Sequence, residues 1–137
     1  MKYELMSTRH AKYLLHAHLV FTPKYRKKIF TKAHFELMNE VFIDVCNKFD
    51  AQLVEFDGEK DHVHLLVLYP PRVAISTLVN SLKGVSSRML RKNFDIFKKS
   101  YWGDSVALWS RSYFAASVDG APIEILKQYI EQQKTPE

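Results

Sequence analysis

Glu59-Lys60-Asp61-His62-Val63-His64-Leu65-Leu66-Val67-Leu68 is the stretch from which the rest of the chain is read. In an extended chain, residues i and i+2 share a face and lie about 6.6 Å apart along the strand. The imidazoles of His62 and His64 then leave one side of a sheet, close enough to share a divalent metal ion. Val63, Leu65 and Val67 point the other way and can be buried. The run stays apolar on both faces after His64, which predicts a central strand with only its first turn reaching a site. The pair alone says little, because two structural or surface histidines satisfy the same pattern.

Composition bounds the rest. The 137 residues suffice for one domain with a respectable core and are too few for two ordinary ones, so residues 1–137 are expected to form a single domain. Hydrophobic residues at 47% and charged residues at 26% give a globular balance and exclude wholesale disorder. The net charge of +5 favours a polyanionic partner over an acidic one, though weakly. Cys46 is the single cysteine, which excludes a disulfide framework; its apolar helical surroundings predict a buried thiol. No opening segment resembles a leader and no apolar run approaches a membrane span, so a cytoplasmic protein with no membrane partner is expected.

Outward from the histidines, residues 13–22 (YLLHAHLVFT) read as a first strand ending at Pro23. This strand carries a second pair, His16 and His18, which competes with the first; with nothing acidic beside it, it is read as structural, or for His18 as a neighbour of a bound ligand. Pro23-Lys24-Tyr25-Arg26-Lys27-Lys28 forms a basic turn with an aromatic inside it. Such a turn can engage phosphate and stack on an unpaired base, or be a solvated charge run. Thr31 caps a predicted helix over residues 32–49, with Phe35, Met38, Phe42, Val45 and Phe49 at helical spacing. Residues 51–56 are a short strand, Asp57-Gly58 a turn, and the His62 strand completes a hairpin.

Pro70-Pro71 ends that strand, and a helix is predicted over residues 73–94. Its apolar stripe is Ile75, Leu78, Val79, Leu82, Val85, Met89 and Leu90. Lys83, Ser87 and Arg91, with Arg88 and Lys92 adjoining, form an opposite face suited to phosphates or simply to water. Gly84 sits mid-helix at a penalty of up to about 1 kcal/mol. Residues 97–108 read as irregular and residues 109–118 (WSRSYFAASV) as the last strand. Pro122 opens a terminal helix containing Leu126, Tyr129 and Ile130. The first six elements double the split β-α-β motif, an α+β, ferredoxin-like arrangement. Helices would cover one face of a four-stranded antiparallel sheet and leave the other free.

Tyr129 and Gln133 lie four apart in the terminal helix, about 6 Å along its axis. A tyrosine hydroxyl is a poor nucleophile at its ordinary pKa of about 10. It can attack a phosphodiester when a metal polarises the phosphoryl oxygen. His62, His64 and the Gln133 amide oxygen could hold such a metal beside Tyr129; alternatively, Tyr129 merely packs its ring.

The stretches TPKYRKKIF, DHVHLLV, LVNSLKGVSSRML, WSRSYFAASVDG and QYIEQQ occur in this order at residues 22–133. In combination they resemble the single-tyrosine transposases of the IS200/IS605 insertion sequences. The resemblance implies that His62 and His64 are the metal ligands of the His-hydrophobic-His (HUH) motif, that Gln133 completes the metal site and that Tyr129 is the nucleophile. It implies a Mg²⁺- or Mn²⁺-dependent enzyme that recognises hairpins near element ends in single-stranded DNA. Nicking would leave a 5′-phosphotyrosine bond and a free 3′-hydroxyl, and strand exchange would need no ATP. It also implies a homodimer in which the tyrosine helix of one subunit can complete the site of the other. The resemblance gives Glu59 and Asp61 no role; either could orient an imidazole, but an exposed acidic turn is expected. Of Lys24, Arg26, Lys83, Arg88 and Arg111, several are expected to contact phosphate and at least one to be idle. Competing readings are a non-catalytic hairpin-binding relative, a relative directed at chromosomal repeats, and a metal-independent RNA endonuclease of similar fold.

Overall fold

A computed structural model describes residues 6–7, 11–100, 108–117 and 130–131 of the chain. A small ribbon of β1 (Met6–Ser7) and β2 (Lys12–Tyr13) precedes the main sheet. The sheet contains β3 (His16–Phe21), β4 (Gln52–Glu59), β5 (His62–Leu68) and β6 (Phe114–Ser117), in the order β4-β5-β3-β6 with every neighbouring pair antiparallel. Helix α1 (Lys32–Lys48) connects β3 to β4, and α2 (Ile75–Asn93) with the short α3 (Asp95–Ser100) lies between β5 and β6. Strands β3 and β4 flank β5, while β5 and β6 flank β3. These interlocked split β-α-β units give the expected α+β, ferredoxin-like fold. Ile130 and Glu131 have helical backbone; the rest of the terminal helix predicted to carry Tyr129 and Gln133 lies outside the described residues.

The alternation along the central strands sets the core. Ala17, Leu19 and Phe21 of β3 and Val63, Leu65 and Val67 of β5 share one cluster with Met38, Phe42 and Val45 of α1 and Leu78, Leu82 and Leu90 of α2. Each large apolar side chain so buried contributes roughly 1.5–3 kcal/mol. On the opposite face His16, Val20, Leu66 and Leu68 are also buried. That face is therefore not free along its length; it opens towards the His62 end, where His18, His62 and His64 are only partly covered.

Four expectations are corrected. Asp57 and Gly58 do not turn; β4 runs on to Glu59, and Lys60-Asp61 form the two-residue loop, with Glu59 opposite His62. Gly58 serves close packing instead: a Cβ there would stand 2.7 Å from Phe35 Cε1 and 3.0 Å from the His62 carbonyl oxygen. Residues 97–100, expected to be irregular, belong to helix α3. Within the expected last strand, Trp109 makes an isolated bridge to Pro23, and regular pairing starts only at Phe114.

The fourth correction concerns α2. Ser86, Ser87 and Arg91 are buried, so the Lys/Ser/Arg side is not a wet surface. It grips residues 108–111. Ser86 Oγ donates to the Leu82 carbonyl at 2.7 Å and accepts from Trp109 Nε1 at 2.9 Å. Ser87 Oγ accepts from the Leu108 amide at 3.2 Å, and Lys83 Nζ donates to the Ser110 carbonyl at 2.6 Å. A segment leaving the ladder must satisfy its buried polar groups elsewhere, and these side chains do so.

The two helix- and strand-bound glycines should respond oppositely to alanine. Gly58→Ala drives a methyl into Phe35 and should destabilise the fold by about 1–3 kcal/mol. At Gly84 the nearest described atom to an added Cβ is Arg88 Nη1 at 3.6 Å, so Gly84→Ala should stabilise by up to about 1 kcal/mol. Urea unfolding of both variants checks this; equal effects would show that Gly58 is not sterically required.

Candidate metal centre

The β4–β5 hairpin brings the histidines together. His62 and His64 leave the face of β5 opposite the core, with ring planes 23° apart and centroids 6.2 Å apart. Directly across on β4 stand Glu59, opposite His62, and Asp57, opposite His64, with Glu55 one pair further on. From β3, the His18 ring lies edge-on to His64 at 5.7 Å. His18, read as structural, thus borders the pair. Among the described residues no group of three His, Cys, Asp or Glu side chains has metal-holding geometry. The histidine pair needs a further donor, and Gln133, expected to provide it, lies outside the described residues, as does Tyr129.

Asp61 is not the exposed turn residue expected from sequence. It is 6% exposed, and its two carboxylate oxygens are used separately. Oδ1 accepts from His62 Nδ1 at 2.9 Å and Oδ2 accepts from Arg26 Nε at 2.7 Å. Burial opposes ionisation of Asp61, but the His62 hydrogen bond and the Arg26 guanidinium outweigh it and hold its carboxyl below the ordinary value. An ionised Asp61 can only accept, so His62 carries a proton on Nδ1 and leaves Nε2 as the ring nitrogen for a metal. Glu59, by contrast, is exposed. The sequence signal for Asp61 was its place next to His62.

Burial lowers the pKa of His64 below that of a free imidazole; the Asp57 carboxylate opposes this and the neighbouring His62 adds to it. Burial likewise lowers His18, helped by His64 and opposed by Glu55. Both shifts favour the neutral imidazole, the form that binds a metal. The donor set fits a divalent cation: two imidazoles on one face, one fixed by a carboxylate, with three further carboxylates on the adjacent strand.

The expected phosphate contacts are in different environments. Arg88 on α2 and Arg111 after Trp109 are exposed, and Lys24 is partly exposed in the turn before α1. Lys83 is engaged with the Ser110 and Arg111 carbonyls and lies 5.7 Å from the Tyr113 ring centroid. The Arg26 side chain is only 16% exposed and is committed to Asp61.

A family model described as Transposase IS200 like matches residues 11–133. The chain belongs to this IS200/IS605 family of single-tyrosine transposases. It is similar to the transposase for insertion sequence element IS200 of Salmonella typhimurium, 29% identical over 127 residues, 93% of this chain and 82% of that one. It is also similar to the ISDra2 transposase TnpA of Deinococcus radiodurans, 28% identical over 134 residues, 98% of this chain and 94% of that one. A crystal structure of a candidate transposase from Deinococcus radiodurans R1 superposes with a TM-score of 0.84 and 29% identity, covering 94% of this chain and 98% of that one. A REP-associated tyrosine transposase, solved with a REP hairpin, gives a TM-score of 0.56 at 8% identity over 91% of this chain and 69% of that one, a likeness of fold alone. Membership supports tyrosine-based transposition of single-stranded DNA and a divalent-metal mechanism in general terms. No described helix is long and apolar enough to cross a membrane.

The lowered histidines give the fold a pH dependence. His34, at the third position of α1, accepts from the Thr31 amide at 3.0 Å; burial lowers its pKa, against a hydrogen bond to Ile29. His18, His34 and His64 all start from an ordinary value of 6.5 and are lowered by folding. Below that value the unfolded chain binds more protons, so stability is full above about pH 6.5 and is lost as pH falls through the lower folded values. In EDTA, the urea midpoint should be flat from about pH 8 to 7 and fall towards about pH 5.5. His34→Gln, which keeps an acceptor for the Thr31 amide, should lessen the fall. An unchanged slope would assign it to His18 and His64.

Proposed function

We propose that the chain is a divalent-metal-dependent endonuclease and strand transferase acting on hairpin-bearing single-stranded DNA, with Tyr129 as nucleophile and His62, His64 and Gln133 as metal ligands. The observation that carries this reading is the His62–His64 pair on one sheet face, with Asp61 fixing the His62 tautomer, in a chain of this family. In this reading residues 1–137 act as one domain in the cytoplasm. The imidazoles of His62 and His64, with the Gln133 amide oxygen, would hold Mg²⁺ or Mn²⁺ and leave positions for phosphate and water. The bound ion would supply Lewis-acid polarisation of the scissile phosphodiester.

The Tyr129 oxygen attacks phosphorus and its proton passes to solvent, while the bond from phosphorus to the 3′-oxygen breaks and that oxygen takes a proton from solvent. A 5′-phosphotyrosine and a free 3′-hydroxyl result. In the reverse sense, a 3′-hydroxyl attacks a phosphotyrosine, forms a new phosphodiester and releases Tyr129. One phosphodiester is exchanged for another through an ester of similar energy, so no ATP is consumed. Lys24, Arg88 and Arg111, with Lys83 beside them, are proposed to contact phosphates. The resemblance further supports a homodimer in which Tyr129 of one subunit serves the metal site of the other.

The test is a denaturing gel of the protein with labelled single-stranded DNA from the flanks of its own gene, in Mg²⁺, Mn²⁺ or EDTA. A slow, protease-sensitive band should form with either metal, vanish in EDTA, and be absent for Tyr129→Phe and for His64→Ala. Mixing those two inactive variants should restore adduct on the His64→Ala subunit's tyrosine if the sites are shared between subunits. Tight hairpin binding with no adduct under any metal would leave a binding module and end the enzyme reading.

A further inference from the structure

Arg26 lies in the basic turn, where the sequence pattern assigns it to phosphate, and its surroundings argue otherwise. Its Nε is spent on Asp61 Oδ2 at 2.7 Å, and the carboxylate's other oxygen holds His62 Nδ1 at 2.9 Å. The three side chains are 16%, 9% and 15% exposed. Nη1 of Arg26 is itself buried and finds no partner among the described residues. A phosphate contact needs the guanidinium at the surface, whereas this one lies beneath the hairpin loop.

The backbone points the same way. Tyr25 and Arg26 have φ of 62° and 50°, two consecutive non-glycine residues in the left-handed region. Such conformations persist only where the surroundings fix them. Here the Arg26 amide donates to the Pro23 carbonyl at 2.8 Å and its side chain is pinned by Asp61, while Tyr25 is held outward at 46% exposure. The turn thus directs one residue inward to the hairpin and the next-door aromatic out to solvent. An ion pair this dry brings little net stability, because desolvation offsets its attraction. What it does bring is direction: the planar guanidinium fixes the carboxylate, and the carboxylate fixes the ring.

We propose that Arg26 is a positioning residue for the metal site, setting through Asp61 the rotation and tautomer of His62. This rests on the reading of His62 as a metal ligand. Arg26 touches neither metal nor DNA; it holds Nε2 of His62 towards the space shared with His64. Removing it leaves Asp61 free to rotate and His62 free to exchange tautomers, so the metal is held less tightly while the DNA surface is unchanged.

The test compares full-length wild type, Arg26→Gln, Asp61→Asn and the double variant in two assays. Mn²⁺ binding to DNA-free protein is read by electron paramagnetic resonance, and hairpin DNA binding is measured in EDTA over a range of salt. Both single variants should weaken Mn²⁺ binding by about 10–100-fold, and the double variant should be no worse than the weaker single, because the residues act in one chain. Hairpin affinity should stay within about twofold of wild type with the same salt slope. The proposal is overturned if Arg26→Gln binds Mn²⁺ like wild type while its DNA affinity falls and the salt slope drops by about one. It is overturned equally if the two losses of Mn²⁺ affinity simply add. Should Arg26→Gln fail to fold, Asp61→Asn decides: wild-type Mn²⁺ affinity in that variant sinks the idea. A wild-type protein that binds no Mn²⁺ at all would instead refute the metal-site reading underneath.

Discussion

Side chains on a strand alternate between faces, so one residue of slip between β4 and β5 would exchange the two faces of β5. His62 and His64 would enter the core, and Val63, Leu65 and Val67 would face out. The observed register, Glu59 opposite His62 and Asp57 opposite His64, is therefore the condition on which the candidate site depends. Three features hold it. The connection is the shortest that a hairpin commonly uses, leaving the turn little slack. The three apolar residues of β5 belong to the core cluster, so slip would wet all of them at once. Gly58 lets Phe35 of α1 lie against the strand opposite Val63, a fit that a shifted residue bearing a Cβ would not make.

The sequence was legible where one local rule acted alone. Helix α1 was expected over residues 32–49 and runs Lys32–Lys48, because its apolar spacing and its cap agree. The faces of β5 followed from alternation, and the element order implied the sheet topology. Reading failed where tertiary contact overrode local chemistry. Asp57-Gly58 has the composition of a turn, but the glycine is there for Phe35. Asp61 has the composition of a wet loop, but it is buried between Arg26 and His62. The partner that makes it functional is 35 residues away in sequence, and no window on the chain can show that. Tyr129 and Gln133 came from spacing and resemblance alone.

Helix α2 shows the same override in its polar residues. Serines and basic residues along one side of a helix are the pattern of a phosphate surface, and also of a helix that must hold an irregular segment. Leu108 to Ser110 run beside Pro23 without continuous ladder pairing, and Trp109 brings an indole N–H into the core with it. A buried indole donor without a partner would cost about 1–3 kcal/mol. Ser86, one turn beyond Leu82, supplies the acceptor while its own hydroxyl donates a hydrogen bond to that residue's carbonyl. The motif therefore helps to deliver the chain into β6, which borders β3 and so His18. Its contribution to the site is made through the fold, whatever Lys83 and Arg88 also do at the surface.

The charge around the histidines runs against that of the chain. The whole sequence carries +5, yet Glu55, Asp57 and Glu59 stand on β4 on the histidine side of the sheet. A phosphodiester brought to His62 and His64 would meet three carboxylates, and such like-charge juxtaposition is unfavourable in a partly desolvated site. The same carboxylates favour a cation there, either a protonated imidazole or a metal ion. Burial lowers the pKa of His64 and so weighs against the protonated ring, although the Asp57, Glu55 and Glu59 carboxylates oppose it. Under the proposed function, basic residues at the periphery would attract DNA generally, while the acidic strand would make approach to the histidines conditional on a bound cation. Affinity for DNA and competence to cut it would be separable in such a design, since they rest on opposite charges placed on different elements of one fold.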